Sequence, residues 1–152
     1  MLDELLKIKR LREDDAISKL VKAEALLEQR KKEKQAKEQE LIDYREWRIK
    51  REEELYQEVE GKQLEVGKLV GIREHIASLR AKELAIEEEL SKAKKAQQEA
   101  EQGVEDAKQV RLAAYREVTK YEEYIEKLKR EEELEQERYE EKETEDLLTG
   151  RK

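Results

Sequence analysis

Groups able to do chemistry are sparse in this chain, and their types close off most reactions. His75 is the only histidine and cysteine is absent. Zinc would need further nitrogen or sulfur ligands that the chain does not contain. Without thiols there is no disulfide framework and no thiolate nucleophile. Carboxylate pairs abound only because Asp and Glu together number 41. Such pairs at i,i+4 are ordinary on helix surfaces, and acid–base catalysis also needs an enclosing pocket. Gly67-x-x-x-Gly71 lacks the Gly-Lys-Ser/Thr and the preceding strand of a phosphate loop. The chain therefore reads as a non-enzyme, with no catalytic residues, metal or cofactor.

Recognition is better represented. In Asp43-Tyr44-Arg45-Glu46-Trp47-Arg48-Ile49, followed by Arg51, Leu55 and Tyr56, the residues Tyr44, Arg48, Arg51 and Leu55 share one helical stripe. Trp47 lies on its edge and Tyr56 beside it. Tyr, Trp and Arg are the usual interface anchors. Two readings stand: Tyr44 and Trp47 wedge two helices together, or they form a docking surface. Tyr115, Tyr121 and Tyr124 pose the same choice. The basic clusters at Lys7-Ile8-Lys9-Arg10-Leu11-Arg12 and at 30–37 have Glu and Asp around them, in a chain of net charge -7. That balance speaks against nucleic acid and against a membrane-surface helix. From Glu131 to Asp146 the chain is strongly acidic, relieved only by Arg138 and Lys142. This segment reads either as a solvated tail or as a handle for a basic partner. The start, Met1-Leu2-Asp3-Glu4, is no signal peptide, and no apolar run is long enough to span a membrane. A cytosolic location without membrane insertion is expected.

The elements that must carry these residues are helices. Charged residues make up 49%, with no Pro, no Phe and five Gly. Such a composition cannot build a globular core, yet it suits long paired helices, which need one narrow apolar stripe. From Ile72 the chain steps at alternating spacings of four and three through Ile76, Leu79, Glu83, Ile86, Leu90, Ala93, Gln97, Ala100, Val104, Ala107, Arg111, Ala114, Val118, Tyr121, Ile125, Leu128, Glu132, Glu135 and Tyr139. A spacing averaging 3.5 keeps one seam on a partner helix. Disordered acidic chains have no reason to hold such a phase. The first half reads as helix from about Leu2 to about Leu64. Gly61, Gly67 and Gly71 cluster near the midpoint, and a reversal is expected at Gly67 to Gly71.

The expected fold is all-α: one long two-helix antiparallel coiled-coil hairpin. Arm one covers about 2–66, the bend about 67–71 and arm two about 72–146. With that bend, residue i faces roughly residue 138 minus i. Basic Arg30, Lys31, Lys32, Lys34 and Lys37 would then face Glu99, Glu101, Glu105 and Asp106, and Tyr44 and Trp47 would face Ala93 and Leu90. The alternative is a parallel homodimeric coiled-coil tether, each chain one continuous helix.

Two stretches resemble a known family. Asp43-Tyr44-Arg45-Glu46-Trp47-Arg48-Ile49 with Glu52-Glu53-Glu54-Leu55-Tyr56 is similar to a signature of the YscO type III secretion proteins. Ile76-Ala77-Ser78-Leu79-Arg80-Ala81-Lys82-Glu83 looks like that family's second block, after the bend. The resemblance implies the central stalk of a type III secretion apparatus, similar to the flagellar protein FliJ. It implies a monomer when free, cytoplasmic and peripheral to the base of the apparatus at the inner membrane. The implied partners are the hexameric export ATPase, the cytoplasmic domain of the export gate, and export chaperones. Gate or chaperone contact would map to Tyr44, Trp47, Arg48, Tyr56, His75, Ile76 and Leu79. ATPase contact would involve Lys7, Lys9, Arg10, Arg12, Tyr124 and Glu131.

Overall fold

A computed structural model of the chain describes residues 1–61, 63 and 65–150. It forms two helices, α1 (Leu2–Val59) and α2 (Val66–Gly150). Leu64, to which the first helix was expected to run, lies outside the described residues. Glu, Lys, Arg, Gln, Leu and Ala fill nearly every surface position, so local propensity agrees with the long helices. Asp3 and Glu4 sit in the first turn of α1, where carboxylates meet the positive end of the helix dipole.

The reversal lies nearer the amino terminus than expected. α1 stops at Val59, the Glu60 N–H still donates to the Tyr56 carbonyl at 3.0 Å, and Gly61 takes a φ of +73°. That left-handed backbone is cheap only without a Cβ. Gly67 and Gly71 lie inside α2 instead, with nothing within 4 Å of an added Cβ. The three glycines should therefore respond with opposite signs. Gly61→Ala should destabilise by about 1 kcal/mol. Gly67→Ala and Gly71→Ala should each stabilise by about 0.5–1 kcal/mol, through helix propensity alone. Thermal melts separate the cases, and a lowered midpoint for Gly67→Ala would put a bend back at that residue.

The chain divides into two compact units, one of Met1–Val21 with the chain from Asp106 onward, the other Lys22–Glu105. Each is a side-by-side pair of α1 and α2 segments running antiparallel. In the first unit Leu6, Ala16, Leu20 and Val118 are buried. In the second, Leu41, Ile86 and Leu90 form one cluster with Tyr44 packed on it, and Leu55, Ile76 and Leu79 form another with Ile72. Each well-buried Leu or Ile contributes roughly 1.5–3 kcal/mol.

On α2, every seam position from Ile72 to Ile125 except Arg111 is buried or half-buried. Leu128, Glu132, Glu135 and Tyr139 continue the pattern but are exposed, as is every residue from 126 to 150, because α1 has run out. α1 carries a matching seam at Leu2, Leu6, Lys9, Glu13, Ala16, Leu20, Ala23, Leu27, Arg30, Lys34, Lys37, Leu41, Tyr44, Arg48, Arg51 and Leu55. It alternates by four and three, and all of it is buried or half-buried.

The register also needs correcting. Partners across the helices have numbers adding to between 123 (Tyr44 with Leu79) and 132 (Arg45 with Glu87), well short of 138. Moving the reversal toward residue 61 brings each α2 partner about three turns nearer to it. Lys37 accordingly meets Glu89 rather than Glu99 to Asp106, while Arg30 does line a groove with Glu99. Arg30 pairs with Glu33, Lys34 with Glu38, and Lys37 with Glu40 and with Glu89 across the interface. Tyr44 reaches Leu79 rather than Ala93. The continuous helix of the tether is interrupted at Val59.

Candidate functional site

The Tyr44–Tyr56 stretch and the facing 72–87 stretch of α2 form a polar and aromatic cluster within the second unit. Tyr44 is half-buried and its hydroxyl donates to the Leu79 carbonyl at 2.6 Å. Burial pushes its phenol above the ordinary value. The Lys82 ammonium lies 5.5 Å from the Tyr44 ring centroid, and the Trp47 ring lies tilted against it at 5.7 Å between centroids. Trp47 itself remains 51% exposed. One of the two aromatics is a wedge and the other lies open to solvent.

Charges hold the same level together. Arg48, on the α1 seam, pairs with Glu83 at 2.8 Å and with Glu52 at 3.1 Å. Arg45 bridges Glu83 and Glu87. Glu52 is the one buried charged residue among those described, and the Arg80 guanidinium donates to it from α2 at 3.1 Å. The Arg80 hydrogen bond, and the Arg48 one behind it, outweigh burial and hold the Glu52 carboxyl below the ordinary range. Arg45, Glu52, Arg80, Glu83 and Glu87 are not legible as a group in the sequence because their partners lie 28 to 42 residues away. The i,i+4 spacing of Arg48 and Glu52 was the one local signal.

The remaining residues assigned to this end divide by exposure. Ile76 and Leu79 belong to the Leu55 cluster and are core, while Tyr56 and His75 are exposed. Next to the reversal, Leu55, Val59, Gly71, Ile72 and His75 line an open groove of about 680 Å³ with Arg51 and Lys68 on its rim.

In the other unit, Lys9 pairs with Glu117 at 3.3 Å and lies 5.4 Å from the Tyr121 ring centroid, and Arg10 pairs with Glu122 at 3.4 Å. Tyr124 meets Tyr121 edge to face at 5.9 Å. Lys7 and Arg12 are exposed. Glu131 is not brought to them, since it sits on the uncovered part of α2. Among the described residues no group of three or more His, Cys, Asp or Glu could hold a metal ion, and no helix is long and apolar enough to cross a membrane.

A family model described as type III secretion protein YscO matches residues 2–149. The chain belongs to the YscO family. It is a type III secretion protein, with a general role in the secretion apparatus. A crystal structure at 2.8 Å of type III secretion protein YscO from Vibrio parahaemolyticus is similar to it, with a TM-score of 0.91 and 25% identity. That match covers 96% of this chain and 92% of the other. No curated protein matches the chain. The YscO match runs through both helices and so includes the Tyr44–Glu52 cluster and the Lys9–Tyr121 level alike.

Proposed function

We propose that this YscO protein is the central stalk of the export machinery, linking the hexameric export ATPase to the cytoplasmic domain of the export gate and binding export chaperones. The observation that carries this reading is the family match along nearly the whole chain. The physics agrees: paired helices with a continuous seam can transmit force or asymmetry without an active site of their own. The stalk works in the cytoplasm at the inner-membrane base of the apparatus, and the free chain is a monomer.

Gate or chaperone contact falls to the exposed members of the cluster, Trp47, Tyr56 and His75, with the open groove beside them. Tyr44, Arg48, Ile76 and Leu79 support that surface from within. ATPase contact falls to Lys7, Arg12, Tyr124 and Glu131, while Lys9 and Arg10 are held by Glu117 and Glu122. The direct test adds the purified chain to the purified export ATPase. Hydrolysis and hexamer assembly should both rise, and Lys7→Glu with Arg12→Glu should reduce the gain. Unchanged hydrolysis and assembly would remove the stalk reading.

A further inference from the structure

In each unit one edge of the helix pair carries ion pairs that cross between helices. Arg10 meets Glu122 in the first unit, and Arg45–Glu87 and Arg80–Glu52 do so in the second. One heptad on from Arg10 is Ile17, and one heptad back from Glu122 is Tyr115. At these equivalent heptad positions the charged residues give way to an apolar one on α1 and an aromatic one on α2, and Tyr115 is left 58% exposed. Leu112 lies on the same α2 stripe as Tyr115, and Val21 follows Ile17 on α1. Both are more than 40% exposed. A groove of about 370 Å³ opens here, lined by Glu13, Lys108, Arg111, Leu112 and Tyr115.

Its polar rim is also unfinished. The Oε2 of Glu13 is buried without a hydrogen-bond partner. Among the described residues, neither Lys108 nor Arg111 forms an ion pair. Arg111 is the single α2 seam residue between Ile72 and Ile125 that turns out to solvent. An unpaired buried acceptor is costly, and an exposed apolar patch framed by charge marks a contact surface.

We infer that this groove seats an acidic amphipathic helix of a partner protein. A cleft between two antiparallel helices is completed by a third helix laying its apolar face along it. Leu112, Tyr115, Ile17 and Val21 take its apolar anchors. Lys108 and Arg111 take carboxylates on its flanks, and Glu13 accepts one donor. Nucleic acid fits poorly, because two cations beside a carboxylate give no continuous phosphate track. The groove shares no residue with the surfaces assigned to gate, chaperone or ATPase, so it stands independently of the stalk reading.

The test uses the full chain and two labelled peptides of roughly 18 residues, long enough to hold a helix once seated. They share the same leucine stripe, but one carries Glu on both flanks and the other Lys. By fluorescence anisotropy at low salt the Glu peptide should bind about tenfold more tightly than its twin. Lys108→Glu with Arg111→Glu should invert that order. Leu112→Ser with Tyr115→Ser should weaken both peptides about tenfold or more, with helix content and melting unchanged because both side chains are exposed. Equal binding of the two peptides, or a preference untouched by the charge reversal, would overturn the proposal. So would concentration-dependent dimerisation of the chain abolished by Leu112→Ser, which would make a second copy the occupant.

Discussion

Glu52→Lys should lower the stability of the paired helices by about 3 kcal/mol or more, read as a fall in thermal midpoint and in helix signal. The replaced carboxylate is 10% exposed and sits between Arg48 and Arg80. A lysine there would set three cations together with Glu83 as their nearest counter-charge. Glu52→Gln should cost less, about 1–2 kcal/mol, because the amide keeps one acceptor for Arg80. The pH dependence has a definite sign. Arg80 holds the folded carboxyl below its ordinary value, so the unfolded chain takes up that proton first. The contribution is whole above about 4.5 and is lost as the pH falls through the lower folded value. The stability gap between the natural chain and Glu52→Gln should therefore narrow on acidification through that range. A gap that stays constant from neutral pH into strong acid would mean that the Glu52 charge does not hold the helices together.

The reversal itself shows what patterning can and cannot locate. On α2 the stepping at four and three predicts fifteen of the sixteen covered positions from Ile72 to Ile125, because most of them are apolar. On α1 the same stepping is just as regular but is masked by charged residues. Lys9, Glu13, Arg30, Lys34, Lys37, Arg48 and Arg51 occupy seam positions there, and a count of apolar residues passes over them. Their stems lie in the interface while the charged ends reach solvent or a partner, except at Glu13, whose Oε2 is buried unpaired. Without that second seam the register rests on the bend alone, and glycine clustering points to Gly67 and Gly71 rather than Gly61. Gly61 needs its positive φ, whereas Gly67 and Gly71 are tolerated in α2, and composition cannot tell these cases apart. A bend at Gly67 to Gly71 sets Lys37 against acids about three turns too far along α2, and Tyr44 against Ala93.

The candidate site was legible as a block of residue types, and its internal division was not. A stripe of Tyr44, Arg48, Arg51 and Leu55 names the face that meets α2. How far each side chain is covered depends on the pairing across to Leu79, Arg80 and Glu83, which lie 28 or more residues away. Register thus decides which anchors remain available to a partner. Trp47, one position off the stripe, and Tyr56, one past its end, are large aromatic side chains that the register leaves open.

That division makes the two aromatics separable by experiment. Tyr44→Ala should cost about 2–4 kcal/mol of stability, since it removes a ring packed on the Leu41–Ile86–Leu90 cluster and a hydrogen bond to the Leu79 carbonyl. Tyr44→Phe keeps the ring and should lose only about 1 kcal/mol. Trp47→Ala should cost less than about 1 kcal/mol, because its ring is half exposed and lies beside Tyr44 outside the buried clusters. Partner binding should show the reverse order. Trp47→Ala should weaken binding of the gate domain or of an export chaperone about tenfold or more, as loss of a central aromatic anchor does. Tyr44→Phe should leave that binding close to normal. Calorimetric titration of the purified partner against each variant, with melting of the same samples, reads both quantities together. If Trp47→Ala melts as early as Tyr44→Ala and binds normally, the tryptophan is a second wedge and the contact surface lies elsewhere. If it melts normally and binds normally, the exposed ring has no partner in either the gate or the chaperone.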